Sequence, residues 1–581
     1  MKQLIVTTLV VISMIFSSCV EQGRGRSLTL KPSGGDDTAT LLELLDEAKQ
    51  LNEAGDHVTL DLGKGTYHIS ANQLPSYELY ISNHDHVAER PVAFMLKGFK
   101  GLTLKGDGAQ LLFHGRLIPI VVQESEGVLL EGFSIDYPRP ALSQVEVLSI
   151  DAERDEVTVR VPEETEFRID NDKNFILLGE GFEQALFVTM PFSESRHMKW
   201  GRADVAFDPA RIVDHGDHTL TLVGWRELPH LEVGDRYVLR SYYRPTPGIT
   251  IIDSEEVKLQ EVAVRYAEGM ALIAQNSRDL TLDQFQVAVA EGSERYFTTQ
   301  ADATHFSGCR GKLLSTNGVY EHMADDAINV HGTYMRVDSL LSERELLVSF
   351  AHYQSYGFRW FDAGDTLRLI NRSTLLPVTG ALPDAKVEVL SPSQMKIALA
   401  EPLEDGLAGL SLAVENLSTH PAVVFSDNLI RNNRARGALF STPKQVLCEK
   451  NTFDHTHGSA ILLCGDANGW YESGPCEEII IRENHFINAL TAMYQFTNGV
   501  ISIDPEIPEL VEGSYYHGRV VVEDNIFDQF PTPLYYAESV TELIFKGNEI
   551  RPNNDFKSIF RASDARAINV GVVEEDHFEG W

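Results

Sequence analysis

The sequence has few cysteines, a deficit of positive charge and, beyond its first 16 residues, no long apolar run. Five cysteines in 581 residues cannot form a disulfide-dense scaffold, and their spacing does not match a structural zinc site. Lys and Arg number 49 against 85 Asp and Glu, so the formal net charge is −36. A surface of this sign repels nucleic acids and anionic polymers, which excludes them as favoured partners and leaves neutral ligands.

The N-terminal segment is typical of an export signal. Residues 1–18 contain an apolar run that ends at Phe16, and small residues then precede Cys19. This pattern predicts a signal peptide, lipidation of Cys19 and a polar tether over residues 19–36; cleavage without lipidation is the alternative. We therefore expect an exported lipoprotein of a Gram-negative bacterial envelope. The lipid would be its only membrane attachment, because no later segment is apolar enough to span a bilayer.

Four cysteines remain in the exported chain: Cys309, Cys448, Cys464 and Cys476. An exported protein can form disulfides, and Cys464 and Cys476 flank a short loop, which makes them the predicted pair. Buried free thiols in the wall of a repeat fold are the alternative.

The chain after the tether is a succession of short apolar strands. A helix is predicted over residues 39–51, followed by a strand at 58–62, as at the capped entrance of secreted β-helices. Similar strands then recur and can be stacked, starting at Ile118, Ala271, Ala303, Ala327, Ala438 and Ala460. A second column consists of an Asn followed two residues later by an apolar residue: Asn428, Asn451, Asn484, Asn525 and Asn548. We interpret these Asn as a structural ladder.

Two strand-rich blocks interrupt the repeats, at residues 139–246 and 335–416, and they resemble each other. VEVLS at 145–149 recurs at 387–391. The prediction is an all-β chain, a right-handed parallel β-helix with two inserted small β-barrel domains. The helix itself would comprise residues 37–138, 247–334 and 417–581. The barrels could flank a cleft, gate it or mediate a homodimer.

Three aspartates stand just before two of the stacked strands. Asp302 and Asp326 occupy equivalent places, and Asp325 lies one residue further out. Alternation along the strands points His305, Asn329 and His331 outward, with Gln275 outward one rung earlier; a rung here is one turn of the β-helix wall. Because adjacent rungs are about 4.8 Å apart, these side chains should form one outward patch.

Clustered carboxyl groups can provide both the acid and the base that glycoside hydrolysis requires. Like charges raise the pKa of at least one member, so a protonated acid and an ionised base can coexist. We assign Asp302 as the general acid, and Asp325 with Asp326 as the residues that position and deprotonate the water molecule. The roles of acid and base can be exchanged. A calcium-dependent lyase is the rival reading, but no Lys lies near the patch, and Arg310 and Arg436 are the only nearby candidate bases.

A loop at residues 464–475 supplies a second candidate surface. Trp470 or Tyr471 could stack on a sugar ring, while Glu472 or Asp466 could bind hydroxyl groups. The residues predicted to bind the sugar are Trp470 and Glu472 with the outward-facing Gln275, His305, Asn329 and His331. The alternative is that the aromatic residue packs the loop onto the wall.

Three segments of the sequence resemble those of one known family. The segments ADATHFSG (301–308) and DDAINVHG (325–332), with the loop WYESGP (470–475), are similar to glycoside hydrolase family 110, and the similarity extends from about residue 37 to the C-terminus. The resemblance implies an exo-acting, inverting α-1,3-galactosidase without metal or other cofactor. The implied partners are galactose-terminated oligosaccharides, from blood group B-type or linear α-Gal glycans. The catalytic aspartates of the family map onto Asp302, Asp325 and Asp326.

Two other classes of function stay open at this stage. One is a β-helix lyase or a polygalacturonase-like hydrolase of another polysaccharide, although this patch offers no cluster of cations for an anionic polymer. The other is a surface protein that binds glycans without cleaving them.

Overall fold

The computed structural model describes residues 25–493, 498–559 and 566–576. The predicted signal peptide and Cys19 lie outside the described residues, so export and lipidation stay predictions. The homodimer considered for the inserted barrels also stays a prediction. The tether proves shorter than expected, because Gly25–Leu30 is a strand that pairs in parallel with His57–Leu62. Its last residue, Leu30, is buried in the main core, which explains why this polar segment is ordered. Among the described residues, no helix is long and apolar enough to cross a membrane.

The main body is a parallel β-helix whose wall consists of three ladders of strands, and the predicted fold class is confirmed. Alternate residues of each strand point into one continuous apolar core. The first ladder comprises Arg90–Lys97, Ile118–Gln123, Ile249–Ile252, Leu272–Gln275, Thr304–Ser307, Ile328–Thr333, Ala438–Ser441, Ile461–Leu463, Ile501–Ile503 and the start of Tyr535–Lys546.

The second and third ladders complete each turn. The second comprises Gly25–Leu30, His57–Leu62, Lys100–His114, Glu126–Asp136, Glu255–Gln260, Arg278–Asp283, Arg310–Thr316, Ala422–Ser426, Val446–Glu449, Glu478–Arg482, His517–Glu523, the rest of Tyr535–Lys546, and Arg566–Glu575. The third comprises Thr66–Ser70, the distal halves of Lys100–His114 and Glu126–Asp136, then Ala263–Val264, Gln286–Val287, Val319–Glu321, Leu429–Arg431, Thr452–Asp454, His485–Ile487, Ile526–Gln529 and Glu549–Pro552. Two short strands pair antiparallel to the first ladder, Ser76–Tyr77 and Glu472–Ser473.

The stacking predicted for the first ladder is correct for the central rungs and wrong by one residue at two others. Thr304 pairs with Ile328, as the alignment of Ala303 with Ala327 requires. Ile328, however, pairs with Ala438, so the partner of Ala327 is Gly437. The strand at Ile118 is shifted in the opposite direction, because Ile249 pairs with both Ile120 and Leu272, which puts Ala271 level with Pro119. Inward packing sets the true register, since a slip of one residue would turn the apolar side chains to the outside.

The asparagine ladder is confirmed at every step. Each Asn side chain after Asn428 accepts hydrogen bonds from the backbone N–H and the side-chain amide of the Asn one rung before it, at 2.9–3.0 Å. Asn484 in addition donates to the carbonyl oxygen of Cys448. The ladder thereby satisfies backbone groups at a buried turn, which makes it a stabilising element.

Replacing Asn484 with Ala should lower the free energy of unfolding by about 1–3 kcal/mol, because the buried donors of Asn451 lose their acceptor. Urea titration and the melting temperature would measure the loss. Asn72→Ala, at an exposed position, is the matched control and should change neither. Equal stability of the two variants would contradict a stabilising ladder.

Each of the two predicted interruptions contains an antiparallel sheet. The first holds a seven-stranded sheet (Ser143–Asp151, Glu156–Arg160, Val188–Phe192, Val205–Ala206, Arg211–Asp214, Thr219–Val223, Arg236–Arg240) and a three-stranded one (Phe167–Ile169, Phe175–Leu178, Glu183–Leu186). The second holds six strands (Met335–Ser342, Glu345–Ser349, Leu367–Asn371, Lys386–Ser391, Gln394–Ala398, Leu412–Asn416). We call them the first and second insertion.

Two arginines of the β-helix wall each bind an aspartate of one insertion. Arg434 donates two hydrogen bonds to Asp204 of the first insertion, at 2.8 and 2.7 Å. Arg310 donates two to Asp365 of the second, at 2.6 and 2.9 Å. Such bidentate pairs orient as well as attract, so the insertions are held in defined positions against the wall.

The single α-helix of the described residues, Thr38–Glu53, covers the entrance of the β-helix as predicted. Leu41, Leu45 and Ala48 lie on one face and join the main core. Short 3₁₀ turns occur at Ala71–Gln73, Leu228–His230 and Tyr353–Ser355.

Cys464 and Cys476 do not form a disulfide, and the alternative of buried free thiols is the one observed. Both thiols are free and buried, as are those of Cys309 and Cys448. Cys476 lies in the main core, whereas Cys464 packs with Leu439 and Leu462 in a separate small cluster, which explains why the two sulfurs do not meet.

Candidate active site

The three aspartates stand at the start of two adjacent strands of the first ladder. Thr304 pairs with Ile328, which places Asp302 and Asp326 at equivalent positions on neighbouring rungs. The inward side chains Ile328 and Val330 belong to the core, whereas His305 and Asn329 face a cavity on the outside of the wall. The predicted faces of these strands are therefore correct. One carboxylate oxygen from each aspartate lies within 4.8 Å of the other two.

Each aspartate has a different set of partners. Asp326 is buried, and both of its oxygens accept hydrogen bonds from Arg436, one from the backbone N–H at 2.9 Å and one from Nη2 at 2.8 Å. Asp302, also buried, has Oδ2 at 2.7 Å from His305 Nδ1. Asp325 is partly exposed, and its Oδ1 has no hydrogen-bond partner among the described residues.

Burial and mutual repulsion perturb the titration of the cluster. Burial raises the pKa of Asp302 well above its usual value, and the charge of Asp325 adds to the increase, while Arg244 opposes it. Burial likewise raises the pKa of Asp326, against the opposing effect of Arg436. These are the perturbations expected where carboxyl groups must exchange protons near neutral pH.

Two histidines extend the hydrogen bonding of Asp302 into the wall. His305 Nε2 lies 2.8 Å from His331 Nε2, and His331 Nδ1 donates to the carbonyl oxygen of Gly332, which can only accept. Burial, with the neighbouring His331, lowers the pKa of His305 to about 3, so His305 is neutral at neutral pH. A neutral imidazole donates from one nitrogen and accepts at the other. One proton is therefore shared along the chain and resides on either Asp302 or His331.

A divalent cation does not fit this cluster well. The spacing of the three oxygens alone would admit one. Both oxygens of Asp326, however, are already engaged by Arg436, and the guanidinium group supplies the positive charge that a cation would bring. Of the two candidate bases of the calcium-dependent alternative, Arg310 pairs with Asp365 instead of facing the aspartates, and the guanidinium group of Arg436 is already bound to Asp326.

Most of the residues predicted to bind substrate line this one cavity. Its walls are formed by Asn83, Arg244, Met270, Asp302, His305, Asp325, Asp326, Asn329, Arg436, Leu439, Cys464, Asp466, Trp470 and Glu472. Asn329 Oδ1 is buried and has no hydrogen-bond partner among the described residues, so it is free to accept from a ligand hydroxyl.

Three predicted or considered ligand residues have structural partners instead. The side-chain amide of Gln275 accepts from Ser82 N at 3.0 Å and donates to Tyr80 O at 2.8 Å, and it does not line the cavity. His331 lies behind His305, with Nε2 at 3.6 Å from Glu472 Oε1. Asp466 lines the cavity, but its carboxylate accepts backbone N–H groups of its own loop.

Sequence reasoning missed Arg244 and Asn83 and assigned Arg436 no role in the cluster. Arg244 follows the last strand of the first insertion, and Asn83 belongs to a loop before Arg90–Lys97, the first strand of the first ladder. Both are more than 50 residues from the aspartates, and no local pattern marks them. Arg436 was recognised from the sequence only as a candidate base near the patch, and it lies two residues before a strand of the first ladder.

Comparisons with known proteins agree with this architecture. Residues 345–409 match the family model described as GLAA-B beta-barrel domain II. The chain is 42% identical over 561 residues to a Phocaeicola vulgatus protein named Alpha-1,3-galactosidase B, covering 93% of this chain and 92% of that protein. It is 41% identical over 538 residues to a Bacteroides fragilis protein of the same name, covering 90% of each.

Among solved structures, a polygalacturonase from Erwinia carotovora is similar, with a TM-score of 0.42, 9% identity and coverage of 96% of this chain and 98% of that one. The similarity to these two proteins covers 93% and 90% of this chain. The chain therefore belongs to the α-1,3-galactosidases of glycoside hydrolase family 110.

Proposed function

We propose that the protein is an exo-acting, inverting α-1,3-galactosidase that removes terminal α-1,3-linked galactose from blood group B-type or linear α-Gal glycans. The observation that carries this proposal is the cluster of Asp302, Asp325 and Asp326 in one cavity of a chain about 40% identical to proteins named for that activity. A neutral galactoside also suits a strongly acidic protein better than an anionic polymer does.

The contacts of the three aspartates support an assignment in which the general acid is Asp325 and not Asp302. Asp302 and Asp326 are equivalent residues on adjacent rungs, each engaged by a neighbouring side chain, so a water molecule can be held between them. Burial raises the pKa of Asp326, but the hydrogen bond from Arg436 opposes this increase and favours the ionised form. Burial also raises the pKa of Asp302, and this residue is ionised when the shared proton lies on His331. Asp325 has the free oxygen and the greater exposure. We therefore propose Asp325 as general acid on the glycosidic oxygen and the other two as bases.

The number of carboxylates is compatible with inversion. A pair of carboxyl groups serves either stereochemical course, and the third can help the base to hold the attacking water molecule. The nearest oxygens, within 4.8 Å, are closer than the separation of about 6.5–9.5 Å between the paired carboxyl groups of typical inverting enzymes. The distance alone therefore does not carry the stereochemical proposal.

Proton NMR of the sugar first released from Gal-α-1,3-Gal, recorded in the presence of a chelator, tests this function. We expect β-galactose to appear first and to mutarotate later, because a single displacement inverts the anomeric carbon. Initial α-galactose would exclude inversion. Absence of galactose from this substrate and from the fucosylated blood group B trisaccharide would exclude the activity and favour a binding protein. A chelator-sensitive product absorbing in the ultraviolet, formed from another polysaccharide, would favour a lyase.

A further inference from the structure

One side of the cavity mouth is built from three segments that are far apart in the sequence. The ring of Trp470 lies 4.4 Å from that of His352, between centroids, at an interplanar angle of 36°. On the same ring, the guanidinium carbon of Arg244 is 5.6 Å from the centroid. Arg244 ends the first insertion, His352 belongs to the second, and Trp470 comes from the loop of the β-helix.

The group is held in place by contacts on every side. Arg244 Nη2 donates to Gln354 Oε1 at 3.1 Å, and its backbone N–H donates to Asp85 Oδ2 at 2.7 Å. The carboxylate of Asp466 accepts the backbone N–H groups of Asn468, Gly469 and Trp470, which fixes the loop that carries the tryptophan. A fixed aromatic side chain loses little conformational entropy when a ligand binds.

The position of the group matches what an exo-acting enzyme needs beyond its catalytic residues. Arg244 and Trp470 line the same cavity as the aspartates, yet Trp470 remains 37% exposed. The sugar next to the terminal galactose must lie outside the galactose pocket, towards solvent. A partly exposed indole ring beside a guanidinium group offers that sugar an apolar contact surface and hydrogen-bond donors for its hydroxyls.

We propose that Arg244, His352 and Trp470 form the acceptor-side subsite, which contacts the sugar adjoining the scissile bond. Both insertions thereby help to set oligosaccharide specificity. This inference rests on the proposed galactosidase function and deepens it by assigning the residues that recognise the part of the substrate that leaves.

The test compares two substrates that differ only in the leaving group, Gal-α-1,3-Gal and α-galactosyl fluoride. Because fluoride cannot occupy an acceptor subsite, Trp470→Ala should reduce kcat/KM for the disaccharide by about 10-fold or more, mainly through KM, and change the fluoride reaction by less than about 3-fold. His352→Ala should give a smaller loss of the same pattern, roughly 3- to 10-fold on the disaccharide. Trp200→Ala, at a tryptophan of similar exposure (38%) that does not line the cavity, is the matched control and should alter neither substrate.

Equal losses on both substrates in the Trp470 and His352 variants, or no loss on either, would overturn the subsite assignment. Failure of the proposed function is distinguishable, because the unmodified protein would then hydrolyse neither the disaccharide nor the fluoride.

Discussion

Replacing Asp326 with Asn is expected to reduce kcat/KM for both Gal-α-1,3-Gal and α-galactosyl fluoride by at least about 10³-fold. Asp326 accepts two hydrogen bonds from Arg436, which favour its ionised form, and it is buried within the aspartate cluster. An amide cannot take a proton from the attacking water. The loss should therefore be independent of the leaving group, because water must be activated for either substrate. Initial rates with the two substrates would measure it.

The control for this variant is Asp283→Asn, at the end of a strand of the second ladder and outside the cavity. It makes the same chemical change and should retain full activity. Circular dichroism and the melting temperature would establish that both variants fold. A folded Asp326→Asn protein with more than about a tenth of the original activity would rule out an essential base at this position.

Replacing Asp325 with Asn should instead produce a loss that depends on the leaving group. We expect a decrease of about 10³-fold on Gal-α-1,3-Gal, whose departing alkoxide needs a proton, and less than about 10-fold on α-galactosyl fluoride, whose departing fluoride needs none. This contrast follows from the free Oδ1 of Asp325 and its exposure at the cavity. Parallel measurements of kcat/KM on the two substrates provide the readout.

Asp302→Asn is the informative comparison for that prediction. If Asp302 is a base, its variant should lose activity on both substrates, as expected for Asp326. If the selective loss appears in Asp302→Asn and not in Asp325→Asn, Asp302 is the acid, as first assigned from the sequence. The two outcomes are exclusive, since only one group protonates the glycosidic oxygen.

Much of the fold could be predicted because the β-helix repeats at the level of single residues. Alternation of apolar and polar residues predicts which side of a strand is buried, and Ile328 and Val330 follow it. The asparagine ladder was visible because one residue type recurs at one turn, and each Asn indeed bonds the next. The register at Gly437 was missed, because alanine was matched to alanine where the inward packing selects Ala438 as the partner of Ile328.

Only those residues of the site that lie on adjacent rungs of the β-helix could be predicted from the sequence. Asp302, Asp325 and Asp326 come together because the wall stacks them. Gln275 is displaced from the predicted set, because the loop of Tyr80 and Ser82 covers it and occupies its amide. Such contacts join segments that are distant in the sequence, and no local pattern in either segment predicts them.

By itself the sequence determined the repeating wall, the two interruptions and the three-aspartate cluster, because each depends on local periodicity and on the short distance between neighbouring rungs. Only the tertiary structure decided the surroundings of that cluster. It brought Arg436 onto Asp326, joined His305 to His331 by a hydrogen bond, and placed Arg244 of one insertion against Trp470 of a distant loop. The two arginines and the tryptophan are distant from the aspartates in the sequence, so the folded chain alone specifies their contacts.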